Sequence, residues 1–145
     1  MINEVKTIYN RLVTLENKVC CLNNALNSFL SEPLIVACSD QDTPITVGDK
    51  MDFYMTKDTT FTSIKISLKT PQTSGSIFTV DVKKNGVTVF TTLITIDNGM
   101  YWSALATTPE KIKSSLIFMK NDKVEIEVTQ IGDGTATGLK VYFIQ

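Results

Sequence analysis

Histidine is absent from this sequence and arginine occurs once, at Arg11. Without histidine the commonest general base is missing, and serine-triad hydrolysis and most zinc sites go with it. Charge of one sign is not in excess either. Basic and acidic residues stand at 14 against 15 for a net charge of -1, so no global field draws nucleic acid or anionic lipid. No apolar run is long enough to span a bilayer, which excludes membrane insertion by a helix. The N-terminus lacks the basic, apolar, small-residue order of a secretory signal, so synthesis in the cytoplasm is expected. The cysteines are few and odd in number: Cys20, Cys21 and Cys38 build no disulfide framework. Reduced thiols are expected, with an interchain disulfide at Cys20 or Cys21 as the alternative.

What is present suffices for a folded domain and an appendage, with 43% apolar residues in a chain of 145. In the N-terminal stretch these residues fall at Met1, Val5, Ile8, Leu12, Leu15, Val19, Leu22, Leu26 and Phe29, in unbroken steps of four and three. That is a heptad repeat, with Val5, Leu12, Val19 and Leu26 at position a and Met1, Ile8, Leu15, Leu22 and Phe29 at position d. A single amphipathic helix has a wider stripe that drifts by roughly 20° per heptad from such a seam. The repeat therefore predicts a coiled coil.

The flanking positions favour three strands. Position g carries Glu4, Arg11, Lys18 and Ala25, and position e carries Tyr9, Glu16, Asn23 and Leu30. In a parallel assembly, g of one helix faces e of the next heptad on its neighbour, so Arg11 meets Glu16. The run Arg11-Leu12-Val13-Thr14-Leu15-Glu16 resembles a short trimerisation motif of coiled coils. There the arginine stem covers the core layer while its fork grips the neighbour's glutamate. Ser31-Glu32-Pro33 is expected to end the helix, because proline cannot continue its hydrogen bonding. So brief a linker is expected to hold three following domains close to a threefold axis.

From Leu34 the heptads give way to alternation and turn signals, the pattern of an all-β domain. Strands are predicted at Leu34 to Cys38, around Ile45-Thr46-Val47, and at Met51 to Thr56 after a turn at Gly48-Asp49. Ile64, Ile66 and Leu68 alternate with Ser63, Lys65, Ser67 and Lys69 as a half-buried strand, and Phe78, Val80 and Val82 form the inward face of the next. Asn85-Gly86 supplies a two-residue hairpin turn, from which Val87 to Ile96 returns as one strand. Asp97-Asn98-Gly99 then turns into Met100 to Ala106. Residues 109 to 118 are compatible with a short helical turn or an extended loop. Val124, Ile126 and Val128 mark another strand, and Gly132-Asp133-Gly134 turns toward Leu139 to Ile144. The fold class read here is mainly β with an N-terminal helix. Residues 1–31 form a parallel trimeric coiled-coil stalk, and residues 32–145 a jelly-roll-like antiparallel β-sandwich of about eight strands.

Reactive constellations are scarce. Asp40/Asp42 and Glu125/Glu127 read as a polar loop and a solvated strand face, since paired carboxylates need an enclosing pocket to cleave a glycoside. Two carboxylates also fall short of the six to eight oxygens calcium prefers, so no metal site is assigned. Gly132-Asp133-Gly134 and Gly138 do not lead from a strand into a helix and serve turns rather than phosphate. Tyr101 and Trp102, neighbours on a predicted strand, point to opposite faces. Trp102 shares its face with Met100 and Ala104 and is expected in the core or an interface, which leaves Tyr101 as the surface residue to stack on a ligand. No catalytic residue and no cofactor are assigned, and the chain reads as a non-enzyme.

The phrases Ile45-Thr46-Val47-Gly48-Asp49, Val80-Asp81-Val82-Lys83-Lys84-Asn85-Gly86, Leu93-Ile94-Thr95-Ile96-Asp97-Asn98-Gly99, and Asn121 through Gly132, placed behind the coil, carry a further likeness. The whole resembles the short trimeric fibres and receptor-binding proteins of tailed bacteriophages, capsid head fibres included. That resemblance implies a homotrimeric virion component, made in the host cytoplasm and projecting from the particle. Its partners would be a second virion protein as anchor and a host-surface glycan or protein, with three weak sites joined by avidity. Because the heptads begin at Met1, anchoring is expected through the first turn of the coil or an outer β surface rather than through an N-terminal arm. A cellular trimeric jelly-roll ligand or lectin is the alternative, and a carbohydrate-active enzyme working at subunit clefts a third reading.

Overall fold

The computed structural model describes residues 1–30 and 32–145, residues 28–30 through their backbone only. It divides into two compact units, Met1–Glu32 and Pro33–Gln145.

The first unit is a single helix, α1, over Ile2–Leu30. The segment contains neither glycine nor proline, and Glu4 in the first turn complements the positive end of the helix dipole. Thr7 and Thr14 direct their hydroxyls back to the carbonyls of Asn3 and Asn10, so these residues satisfy themselves locally. Every side chain described on α1 is exposed, the apolar ones included.

The second unit is all antiparallel β. Strands β1 (Leu34–Ala37), β2 (Gly48–Tyr54), β3 (Thr59–Phe61) and β4 (Ser63–Ser67) are followed by β5 (Phe78–Lys84), β6 (Val87–Thr88), β7 (Phe90–Thr92) and β8 (Ile94–Ile96). A short 3-10 helix over Ser103–Leu105 precedes β9 (Lys111–Ile112), β10 (Leu116–Phe118), β11 (Lys123–Gln130) and β12 (Lys140–Ile144). One sheet has the order β1-β12-β4, and a larger one runs β2-β11-β5-β6 with β8 also pairing β5. Two-stranded pairings β10-β3 and β7-β9 complete the unit.

Alternation decides what faces inward. On β11, Val124, Ile126 and Val128 are wholly buried opposite Val82 and Val80 of β5, while Lys123, Glu125 and Glu127 lie on the other face. On the smaller sheet Val141 and Phe143 of β12 are buried beside Ile66 and Ile64 of β4. The two inner faces meet: Phe53 of β2 stands edge-on to Phe143 of β12 at 6.0 Å, and Phe61 and Phe118 join the same aromatic cluster. The sheets do not close into a barrel. Among the described residues β1 pairs only with β12 and β2 only with β11, so each is the edge of its sheet.

Several elements differ from the sequence-based expectation for local reasons. Asn85 and Gly86 do form the two-residue turn, with φ of 50° and 81°. The return from it breaks into β6, β7 and β8, however. Thr88 donates its hydroxyl to Asp81 and accepts the Phe90 N–H, which takes that donor out of the ladder and lets β7 leave to pair with β9. Gly48 and Asp49 begin β2 instead of preceding it as a turn, and Ile45-Thr46-Val47 is not a strand, although Ile45 is buried and its N–H bonds to Ala136.

Met100 to Ala106 is not a strand either. The Asp97 carboxylate draws the segment back by accepting the Thr107 N–H and hydroxyl. Ser103, itself buried, presents its hydroxyl oxygen to the Ile66 N–H at 2.9 Å. A side chain thus does for β4 what a neighbouring strand would have done, and only a single bridge, Ser67 to Trp102, remains. Residues 109 to 118, open between turn and loop in the sequence, hold the short strands β9 and β10.

Candidate functional site

Three features could carry function: the seam of α1, the loop-borne polar groups, and an apolar slot in the β unit. On α1 the a and d residues Val5, Ile8, Leu12, Leu15, Val19, Leu22 and Leu26 are between 52% and 68% exposed in the single chain. Phe29, the last d position of the repeat, has its side chain outside the described residues. A row of seven exposed Leu, Val and Ile side chains at a and d positions is far from the isolated apolar residues an ordinary surface tolerates. Arg11 and Glu16 are exposed as well, and the ion pairs among the described residues all lie in the β unit, so both are free to reach across to another chain.

The polar candidates of the β unit are committed to structure. Asp40 caps its own loop by accepting the Asp42 and Thr43 N–H groups, and these bonds, Asp42 first, hold its carboxyl below the ordinary range. Asp42 pairs with Lys69. Glu125 takes Lys123 and the Gly86 N–H, with Lys123 the main cause of its lowered pKa, while Glu127 pairs with Lys83. Among the described residues no group of three or more acidic or cysteine side chains is arranged to hold a metal ion. Gly132-Asp133-Gly134 does build a turn, and its aspartate closes the neighbouring loop by accepting from Thr73, Ser74 and Thr135.

Tyr101 is exposed, as expected of a surface residue, but not because a strand alternates there. Trp102 is half-buried with its ring edge-on to Tyr142 at 5.0 Å, so the pair seals the outer face of the small sheet rather than its core. The premise that the two residues occupy opposite faces of a strand is therefore corrected.

The slot is the feature that sequence reasoning missed. It lies along the open side of the β unit, about 490 Å3 in volume, with β1, β2 and Phe61 as its walls and Tyr54, Lys57 and Gln145 supplying polar groups. Leu34 and Met51 explain its character. Leu34 pairs with Phe143 and Met51 with Ile126, both wholly buried, so each points to the core; yet they are 37% and 38% exposed. The core is simply not closed between the two edges. No local signal marks this, because whether an edge stays unpaired depends on sheet order among strands far apart in sequence.

No helix among the described residues is long and apolar enough to cross a membrane. Comparison of the chain with known protein families, with curated proteins and with solved structures gave no match.

Proposed function

We propose that this chain is a trimeric display protein, a bacteriophage virion fibre of the head-fibre or receptor-binding kind, in which a parallel three-stranded coil presents three jelly-roll-like β units to the host surface. The observation that carries the reading is the heptad seam from Val5 to Leu26, exposed along its whole length in the single chain. Most helical stability in proteins comes from packing an apolar face, and in the single chain this helix has no buried face among the described residues. Burial of that seam by two further copies supplies it, with Arg11 of one chain against Glu16 of the next. The β units are the recognition elements, and a bacterial-surface glycan or protein is their partner. No catalytic step belongs to this reading.

Sedimentation of the full chain tests it directly. The expected mass is three times the 16.1 kDa of the chain. A monomer at micromolar concentration removes the basis of the proposal. Binding of labelled trimer to susceptible bacterial cells, and its competition by their extracted surface polysaccharide, tests the second half.

A further inference from the structure

The slot between β1 and β2 needs an occupant. Edge strands are ordinarily guarded by charge, proline or a covering element. β2 carries Asp49, Lys50 and Asp52, but β1 reads Leu-Ile-Val-Ala and has no charge at all. Beside it the inward-facing Leu34 and Met51 lie open to solvent, and Ile35 on the opposite face of β1 is exposed too. A monomer whose core is open along an unguarded edge is one surface short of a finished fold.

We infer that a second copy of this chain closes the slot, so that the threefold interface continues from the helical seam into the β1–β2 side of the β unit. The inference rests on the trimeric reading of α1 and deepens it. Chain connectivity selects the occupant. Four peptide steps separate Leu30 from Leu34, a reach of at most roughly 14 Å. Helices in a coiled coil stand about 8–10 Å apart, so three copies of β1 must begin close to the axis. The unguarded strand is thus the one that a parallel coil gathers with its own copies, at high effective concentration. The walls are mostly apolar, and among the described residues Lys57 is the one charged side chain lining the slot, so copies meet little like-charge repulsion.

Thiol labelling tests this in the full chain. Cys20 and Cys21 are exposed and are replaced by serine, whereas Cys38 is buried and its thiol is pushed up to about 12 by burial, which keeps it protonated and silent. Met51→Cys is then compared with Ile117→Cys, a somewhat more exposed position in the single chain (46% against 38%) that does not line the slot. In trimers confirmed by sedimentation, Met51→Cys is expected to label about tenfold or more slowly than Ile117→Cys. Adding Leu12→Asp and Leu15→Asp to make the chain monomeric should bring the two rates together. Equal rates in a chain that sediments as a trimer overturn this inference while leaving the trimer intact, and show the slot free for another occupant such as an extended apolar peptide. A chain that sediments as a monomer without the aspartates overturns both. Ile35→Lys gives a second readout: lower trimer melting temperature supports a covered edge, and an unchanged one opposes it.

Discussion

Gly132 shows how tightly single residues are held in the loop cluster of the β unit. A Cβ there would lie 2.3 Å from the Ser74 carbonyl oxygen and 2.6 Å from that of Ser76, while its N–H is held by the buried Gln72 side chain. Gly132→Ala is therefore expected to destabilise the unit by about 1–3 kcal/mol, read from a lower denaturant midpoint. Nearby Asp133 accepts from the Thr135 hydroxyl and from the Thr73 N–H and hydroxyl, which hold its carboxyl well below the usual range. Asp97, through Thr107, and Asp122, through the Met119 N–H, are lowered in the same way. A depressed folded pKa stabilises the fold above the unfolded value, and that stability is lost as pH falls through the folded one. Acid unfolding should accordingly set in below about pH 4, and Asp133→Asn should flatten it. Asp81 has the opposite sign: burial raises its pKa despite the Thr88 hydroxyl, so its charge disfavours the fold at neutral pH. Asp81→Asn keeps the acceptor for Thr88, and is expected to raise the melting temperature by a few degrees at pH 7. That gain should vanish below about pH 4, and a scan of melting temperature against pH decides it.

At the level of elements, α1 and the hairpin at Asn85-Gly86 were legible because each is a local pattern: a period of 3.5 residues in one, a left-handed dipeptide between alternating strands in the other. Met100 to Ala106 was not legible, since nothing local says that Ser103 will serve as acceptor for the Ile66 N–H or that Asp97 will draw Thr107 back. The same holds for the slot, which required knowing that β1 and β2 both end up as edges. The element-scale prediction belongs to the seam. On the proposed trimeric reading, in which Leu12 becomes buried, Leu12→Ala should cost the assembly about 2–5 kcal/mol per site. Arg11→Ala with Glu16→Ala should lower the melting temperature by less, because a partly exposed ion pair contributes little. Circular dichroism at 222 nm follows both.

For the whole molecule, the two units carry separate apolar surfaces, one a core buried within the single chain except along the slot, the other a seam exposed in the single chain that the proposed trimer would bury. Their unfolding should therefore respond differently to dilution. Loss of helical signal is expected at lower temperature as protein concentration falls, by mass action. The core transition, followed by Trp102 fluorescence, should move less, by only what closure of the slot by another copy contributes. Coincident transitions that ignore concentration would contradict the seam's dependence on other chains.

The sheet order β1-β12-β4 has one more consequence, concerned with the order in which a ribosome delivers the chain. The central strand of that sheet is its last in sequence, so neither Ile35 nor Lys65 meets its ladder partner, Tyr142 for both, until nearly everything before it has been made. Such distant pairing forms slowly. Meanwhile the whole of α1 and the apolar β1 have emerged and wait. On the trimeric reading proposed above, neighbouring nascent chains on one message would offer each other complementary heptads before any of them has a finished β unit, which favours assembly during synthesis over assembly after it.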